Sequence, residues 1–213
     1  MIIKALSDTH NRHDEISARF NLECDILIHA GDAGVRGNFT EIENFYKWYV
    51  KQPAKYKLFV PGNHDKSAKK HKLLHAMAEE YGIIVLRNSG VTINGKTFWG
   101  CGDVAIFDKM GNYRQPTHPN NFQLMPLKLD VLVTHCPAQY LLDFGGIRYQ
   151  TNLGCPRLRA ELDSSKRDVK TMIHGHIHEE GGNSLDHNGT VIYNVACMDR
   201  NYEIVRGPKE III

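Results

Sequence analysis

Short apolar runs alternate with polar clusters along the chain, and the first three runs share one kind of ending. Ile2–Leu6 leads into Ser7-Asp8-Thr9-His10-Asn11, Cys24–Ala30 into Gly31-Asp32-Ala33-Gly34, and Tyr56–Val60 through Pro61 into Gly62-Asn63-His64-Asp65. Apolar runs this short, bounded by turn residues, read as buried strands. Between them the rhythm becomes helical. A polar stretch opens at His13 and ends near Phe20. A helix starting at Thr40 carries Ile42, Phe45, Tyr46 and Tyr49 on one face, and Thr40 with Glu43 has capping-box spacing. Lys66–Tyr81 reads as one helix with an apolar stripe of Leu73, Leu74, Met77 and Tyr81, closed by Gly82. Strand, polar loop and helix repeated three times predict parallel strands joined by crossover helices.

The second half has a different pattern. Asn94-Gly95 between Val91–Ile93 and Thr97–Trp99 predicts a hairpin, as does Asn188-Gly189 between Ser184–Asp186 and Val191–Asn194. Residues 109–125, rich in Gly, Asn and Pro, read as a long loop that helps shape a pocket. Leu129–Thr134 is a buried strand ending at His135, Gly154–Leu162 a helix, and Val169–Ile173 a strand ending in His174-Gly175-His176-Ile177-His178. Tyr202–Val205 reads as a closing strand and Ile211–Ile213 as a last one. No linker or low-complexity segment interrupts the chain, so 1–213 is expected to be a single domain.

Composition narrows the class. The 213 residues are 42% hydrophobic and 23% charged, enough for an ordinary core and a soluble surface. A net charge of +2 is too small for a dedicated nucleic-acid coat, and no stable nucleic-acid complex is expected. Five cysteines with no C-x-x-C pair fit a reducing, cytoplasmic location better than a disulfide framework. The Met1–Leu6 run is too short for a secretion signal and no run nears the ~20 residues of a membrane span, so no membrane partner is expected.

The twelve histidines carry the chemistry. Five runs end in groups that bind metals: Asp8 and His10, Asp32, Asn63 and His64, His135, then His176 and His178. Carboxylate, amide and imidazole without thiolate suit Mn, Fe, Co or Zn. The set exceeds the three or four ligands of one catalytic zinc and matches two metals. His29 is expected to be a core histidine, His174 either packing or support for the site, and His13 solvated. Trp48 and Trp99 belong to the core pattern. The basic run Lys66, Lys69, Lys70, Lys72 reads first as a solvated helix face. Asn11, Arg12, Arg36 and Asn38 lie in loops at the same sheet edge, within reach of a phosphate.

Taken in order, Asp8-x-His10, Gly31-Asp32, Gly62-Asn63-His64-Asp65, His135 and Gly175-His176-x-His178 resemble the five blocks of the calcineurin-like metallophosphoesterase superfamily. The resemblance implies an α/β fold, a four-layer α-β-β-α sandwich of two mixed sheets. It implies two divalent cations, Mn foremost with Fe, Zn, Ni or Co as alternatives. Asp8, His10 and His178 would hold one, Asn63, His135 and His176 the other, with Asp32 shared, and a hydroxide bridging the pair would attack phosphorus. His64 would act at the leaving group and Asp65 would orient His64. The blocks depart from the phosphoprotein phosphatase branch, whose second block is longer and whose third ends in Glu. They look closer to small phosphodiesterase-type members, including the metallophosphoesterase-domain group. A phosphodiesterase of small or nucleotide-like esters is therefore expected, with a phosphomonoesterase as the alternative. A non-catalytic scaffold is a third reading, disfavoured because His64 is kept.

Overall fold

The computed structural model describes residues 1–107, 113–114, 122–146 and 150–213. Strands β1 (Ile2–Leu6), β2 (Cys24–His29), β3 (Ala54–Phe59) and β4 (Ile83–Val85) run parallel. Antiparallel β13 (Lys209–Ile212) completes this first sheet in the order β13-β1-β2-β3-β4. A second sheet has the parallel strands β6 (Lys96–Cys101), β9 (Lys128–Thr134), β10 (Asp168–His174) and β12 (Thr190–Asn194). β5 (Ser89–Ile93) and β11 (Ser184–His187) pair antiparallel at its edges, giving the order β11-β12-β10-β9-β6-β5. A small ribbon pairs β7 (Ile106–Phe107) with β8 (Tyr113–Arg114).

Strand alternation sets the layers. Ile3 and Ala5, Ile26 and Ile28, and Leu58 and Val60 meet Phe98, Val131, Val133 and Ile173 between the sheets. Leu6, Leu27 and Phe59 point the other way, onto α1 (His13–Arg19), α2 (Phe39–Tyr49) and α4 (Lys72–Glu80). Leu132 and Met172 face α5 (Pro156–Leu162), with Phe122 and Met125. Each large apolar side chain buried this way stabilises the fold by roughly 1.5–3 kcal/mol. The result is the expected α-β-β-α sandwich.

Several local expectations are corrected. The cap of α2 is Asn38, whose side chain accepts from the Glu41 amide, and the helix already includes Thr40. The stretch 66–81 is two helices, α3 (Lys66–Lys70) and α4, because His71 between them is extended at φ −91°, ψ 114° and packs its ring against Phe39 at 4.8 Å. That break resets the helical phase, so Leu74 and Ala78 are buried and Leu73 is 66% exposed. The final strand is β13, and Tyr202–Val205 is instead a turn and a bridge. His13 is buried between Trp48 and Phe45, at 5.0 and 5.8 Å, rather than solvated. The loop expected over 109–125 lies largely outside the described residues. Among the described residues no helix is long and apolar enough to cross a membrane.

Candidate metal centre

Every ligand expected from the sequence sits just past the carboxyl end of a strand. Asp8 and His10 follow β1, Asp32 follows β2, Asn63 and His64 follow β3, His135 follows β9, and His176 and His178 follow β10. Parallel strands direct such loops to one side of a sheet, and here two sheets contribute. The Ser7 amide donates to Val195 (3.0 Å) and Cys197 donates back to Ser7 (3.1 Å), while Gly175 donates to the His135 carbonyl (3.2 Å). The Ser7 bonds draw the ends of the two sheets together, and the Gly175 bond ties the ends of β9 and β10 within the second sheet.

Asp8, His10 and His178 form one cluster and Asp32, His135 and His176 another, each with donor atoms within 4.8 Å of one another. Asn63, Asp32, His10, His176, His178 and His64 share a cavity of about 300 Å³. The local backbone is bent to bring this about. Asp8, His10, Asp32 and His176 have φ of 55°, 39°, 56° and 71°, a region that costs a non-glycine residue of order 1–3 kcal/mol. Surrounding bonds hold it: Asp8 Oδ2 accepts from Ser7 Oγ at 2.5 Å and from the His176 amide at 3.0 Å. Gly175 allows that approach, since a Cβ there would lie 2.1 Å from Ser7 Oγ and 2.4 Å from Asp8 Oδ2.

Three of the four ligand imidazoles are oriented in the same way. His10 Nδ1 donates to the Gly34 carbonyl (2.9 Å), His135 Nδ1 to Ala30 (2.8 Å) and His178 Nδ1 to Asp199 (3.0 Å). A carbonyl only accepts, so each Nδ1 carries a proton and each ring turns its Nε2 inward, where loss of the Nε2 proton leaves a lone pair for a metal. His135 Nε2 faces Asp32 Oδ2 at 3.2 Å and His178 Nε2 faces Asp8 Oδ1 at 3.4 Å. Yet Asp8 Oδ1, Asn63 Oδ1 and His135 Nε2 are buried without a hydrogen bond. Lone pairs converging this closely repel unless a proton or a cation lies between them, and hard oxygen and imidazole donors suit divalent cations. The residues therefore fit a pair of such ions.

The electrostatics agree. Burial opposes ionisation of Asp32, but the positive charge of the adjacent His135 outweighs it and holds the carboxyl at about 2. Burial likewise opposes protonation of His135, and Asp32 and Asp8 overcome it, raising the ring to about 9. In both cases the site favours positive charge between its acids, which a metal supplies in place of the proton.

Asp65 is not behind His64. Its carboxylate accepts from the amides of Asp32 (2.7 Å), Ala33 (3.3 Å), Gly34 (3.0 Å) and Gly62 (2.8 Å), so it fastens the β2 loop to the β3 loop. Burial, then the negative Asp32, pushes its carboxyl up to about 6 against the pull of those amides. The partner of His64 Nδ1 is the Val35 carbonyl, and the His64 amide donates to Asp32 Oδ1 at 2.8 Å. A buried carboxylate next to four amides has no need of a more distant imidazole. Arg12 is held by Glu15 (2.7 Å) and Glu203 (2.9 Å), Asn38 caps α2, and His29 is a core histidine bonded to Thr9 (3.0 Å).

The cavity also has a wall that the sequence reading missed: Leu153, Ile177, Glu179, Arg200 and Tyr202. Tyr202 packs edge-on against His10 and His178, each at 5.1 Å. Its loop is tied by Asp199, which accepts from the amides of Asn201 (2.8 Å) and Glu203 (3.0 Å). The signal was there: Asp199-Arg200-Asn201 is a polar turn after the apolar run through Cys197, the same strand-end pattern as the ligand blocks.

A family model described as calcineurin-like phosphoesterase matches residues 1–180. The chain is 29% identical over 231 residues to human metallophosphoesterase domain-containing protein 1, an alignment covering 95% of this chain and 68% of that protein. It is also 29% identical over 222 residues to a UPF0046 protein of Caenorhabditis elegans, covering 97% and 73%. The crystal structure of TT1561 of Thermus thermophilus superposes with a TM-score of 0.65 over 98% of this chain and 97% of the other, a likeness of fold at 10% identity. The matched stretch takes in every strand-end ligand from Asp8 to His178, and the chain belongs to the calcineurin-like phosphoesterase family.

Proposed function

We propose that this metal-dependent phosphoesterase is a dinuclear phosphodiesterase of small or nucleotide-like esters, working with Mn²⁺ in a reducing, cytoplasmic setting. The observation that carries the reading is the pair of ligand clusters opening into one cavity. Asp8, His10 and His178 would hold one cation and Asn63, His135 and His176 the other, with Asp32 shared. When bound, such a pair supplies Lewis acidity toward phosphoryl oxygens and brings the pKa of a bound water near neutrality.

The chain's own groups do the rest. His64 lines the cavity with its Nδ1 held by Val35. As an imidazolium it donates Nε2–H to the departing ester oxygen and keeps Nδ1–H on the carbonyl, so the ring stays aligned while its charge changes. Leu153, Ile177 and Tyr202 give the cavity an apolar side for an organic substituent, which supports a diester. Arg200 on the same wall, able to meet a second negative charge, is what favours the alternative monoester reading. The cytoplasmic setting rests on five free thiols.

The test compares bis(p-nitrophenyl) phosphate with p-nitrophenyl phosphate across Mn²⁺, Fe²⁺, Ni²⁺ and Zn²⁺. Faster diester turnover with Mn²⁺ is expected. Faster monoester turnover would transfer the reading to a phosphatase, and no turnover of either would overturn it. His64→Ala should keep its metal and lose about 10²–10⁴ in kcat.

A further inference from the structure

The loop that separates the metal ligand Asp32 from helix α2 has an unusual arrangement of hydrogen bonds. Its six consecutive amides, from Asp32 to Gly37, all donate to carboxylates. Asp65 takes those of residues 32, 33 and 34. A single oxygen of Glu41, Oε2, takes those of Val35 (3.2 Å), Arg36 (2.9 Å) and Gly37 (2.7 Å). Two of the loop's carbonyls go to imidazoles: Gly34 to the ligand His10 and Val35 to His64. The loop thus has two halves, one serving a metal ligand and one serving the leaving-group histidine.

Glu41 is in turn fixed by its place on α2. It lies in the first turn, and its own amide is held by the Asn38 cap at 3.0 Å. The second half of the loop is pressed onto the His64 segment. A Cβ on Gly37 would lie 1.9 Å from the His64 carbonyl oxygen, and Gly37 has φ +64°, so glycine is needed there on both counts. The Ser67 amide donates to the Gly37 carbonyl at 2.9 Å, which closes the contact. Three adjacent amides form a concave donor group with a net positive field, and an acceptor oxygen at its centre, here that of an anion, keeps them pointing one way. With that anion in place, the Val35 carbonyl is aimed at His64 Nδ1.

We propose that Glu41 is the positioning residue of His64, acting through the Val35 carbonyl in the place where a side-chain carboxylate was expected. This rests on the reading of His64 as the group at the leaving oxygen. Glu41 sets the tautomer and tilt of the ring without touching substrate or metal. It differs in this from Asp65, whose half of the loop holds Asp32 and His10.

The experiment uses the full-length, metal-loaded protein with Glu41→Ala, Glu41→Gln, His64→Ala and the Glu41→Ala/His64→Ala double variant. Turnover of bis(p-nitrophenyl) phosphate is measured with metal content by elemental analysis, and the His64 tautomer is read from the ¹⁵N shifts of the Zn²⁺-loaded form. Glu41→Ala should lose roughly 10–100-fold in kcat, the usual effect of removing such a supporting partner. KM should change little and metal content should match the wild type. The His64 signal should move from the Nδ1–H tautomer toward a mixture. Glu41→Gln retains an oxygen acceptor at the same place and should recover most of kcat and the wild-type tautomer, which an effect of misfolding would not do. In the His64→Ala background Glu41→Ala should have no further effect.

An unchanged tautomer in Glu41→Ala, or a loss that persists undiminished without His64, would overturn the proposal. A His64→Ala enzyme as active as wild type would instead sink the catalytic reading of His64. The ¹⁵N shifts would then still report whether Glu41 fixes the ring, so the two failures are distinguishable.

Discussion

Asp8, Asp32 and His176 hold their side chains on left-handed backbone, at φ 55°, 56° and 71°, and that conformation depends on close neighbours more than on the residues themselves. Gly175 is the most exacting of those neighbours. Gly175→Ala would push a methyl group into Ser7 Oγ and into Asp8 Oδ2, whose companion Oδ1 faces His178 Nε2 at 3.4 Å. Overpacking of this kind costs about 1–3 kcal/mol. The variant should show a lowered Tm and reduced metal content; unchanged metal content would mean that Asp8 relaxes freely. The candidate ligands were legible as a group because each follows an apolar run, and a strand end is a local feature. The partners of Asp65 and His64 were not. Both side chains bond to backbone, the amides of residues 32–34 and 62 and the carbonyl of Val35, and a backbone group has no signature in a sequence. Proximity in sequence made Asp65 the natural partner of His64; the bends after β2 and β3 decided otherwise.

At the scale of elements, strands were read more accurately than helix boundaries. A buried strand is marked by apolar residues along its whole length, whereas a helix start depends on one side chain. Thr40 and Asn38 both have capping chemistry, and the structure gives the role to Asn38. Asn38→Ala should therefore cost about 1 kcal/mol in urea unfolding, while Thr40→Ala, already inside α2, should cost a few tenths. Equal costs would place the helix start at the wrong residue. The break at His71 escaped for a similar reason: Lys66–Glu80 has helix-forming residues throughout, and the contact with Phe39 that favours an extended residue is supplied by another helix. The loop from Asp199 to Glu203 escaped because aromatic and apolar residues after it imitate a strand, although Tyr202 takes φ 62° and turns its ring onto His10 and His178.

For the molecule as a whole, the two-sheet sandwich was implied by the resemblance of the blocks to a known family, whereas the apolar pattern alone showed parallel strands followed by a hairpin-rich half. The same packing leaves a mark on stability. His29, at the end of β2 and fully buried against Phe45 and Phe59, has its pKa lowered to about 3, chiefly by burial. In the unfolded chain it titrates near 6.5. Below that pH the unfolded state takes up a proton that the folded state refuses until about 3, so His29 removes stability as pH falls through this window, at up to ~1.4 kcal/mol per pH unit. Asp65, raised to about 6, works in the opposite sense over part of the range, because the folded state then binds the extra proton. Comparison with His29→Leu cancels that contribution. Between pH 6.5 and 5, metal-free wild type should lose on the order of 1–2 kcal/mol relative to the variant in urea unfolding. Parallel pH profiles for the two proteins would show that His29 is protonated in the fold, and that its contact with Thr9 relaxes to admit the charge.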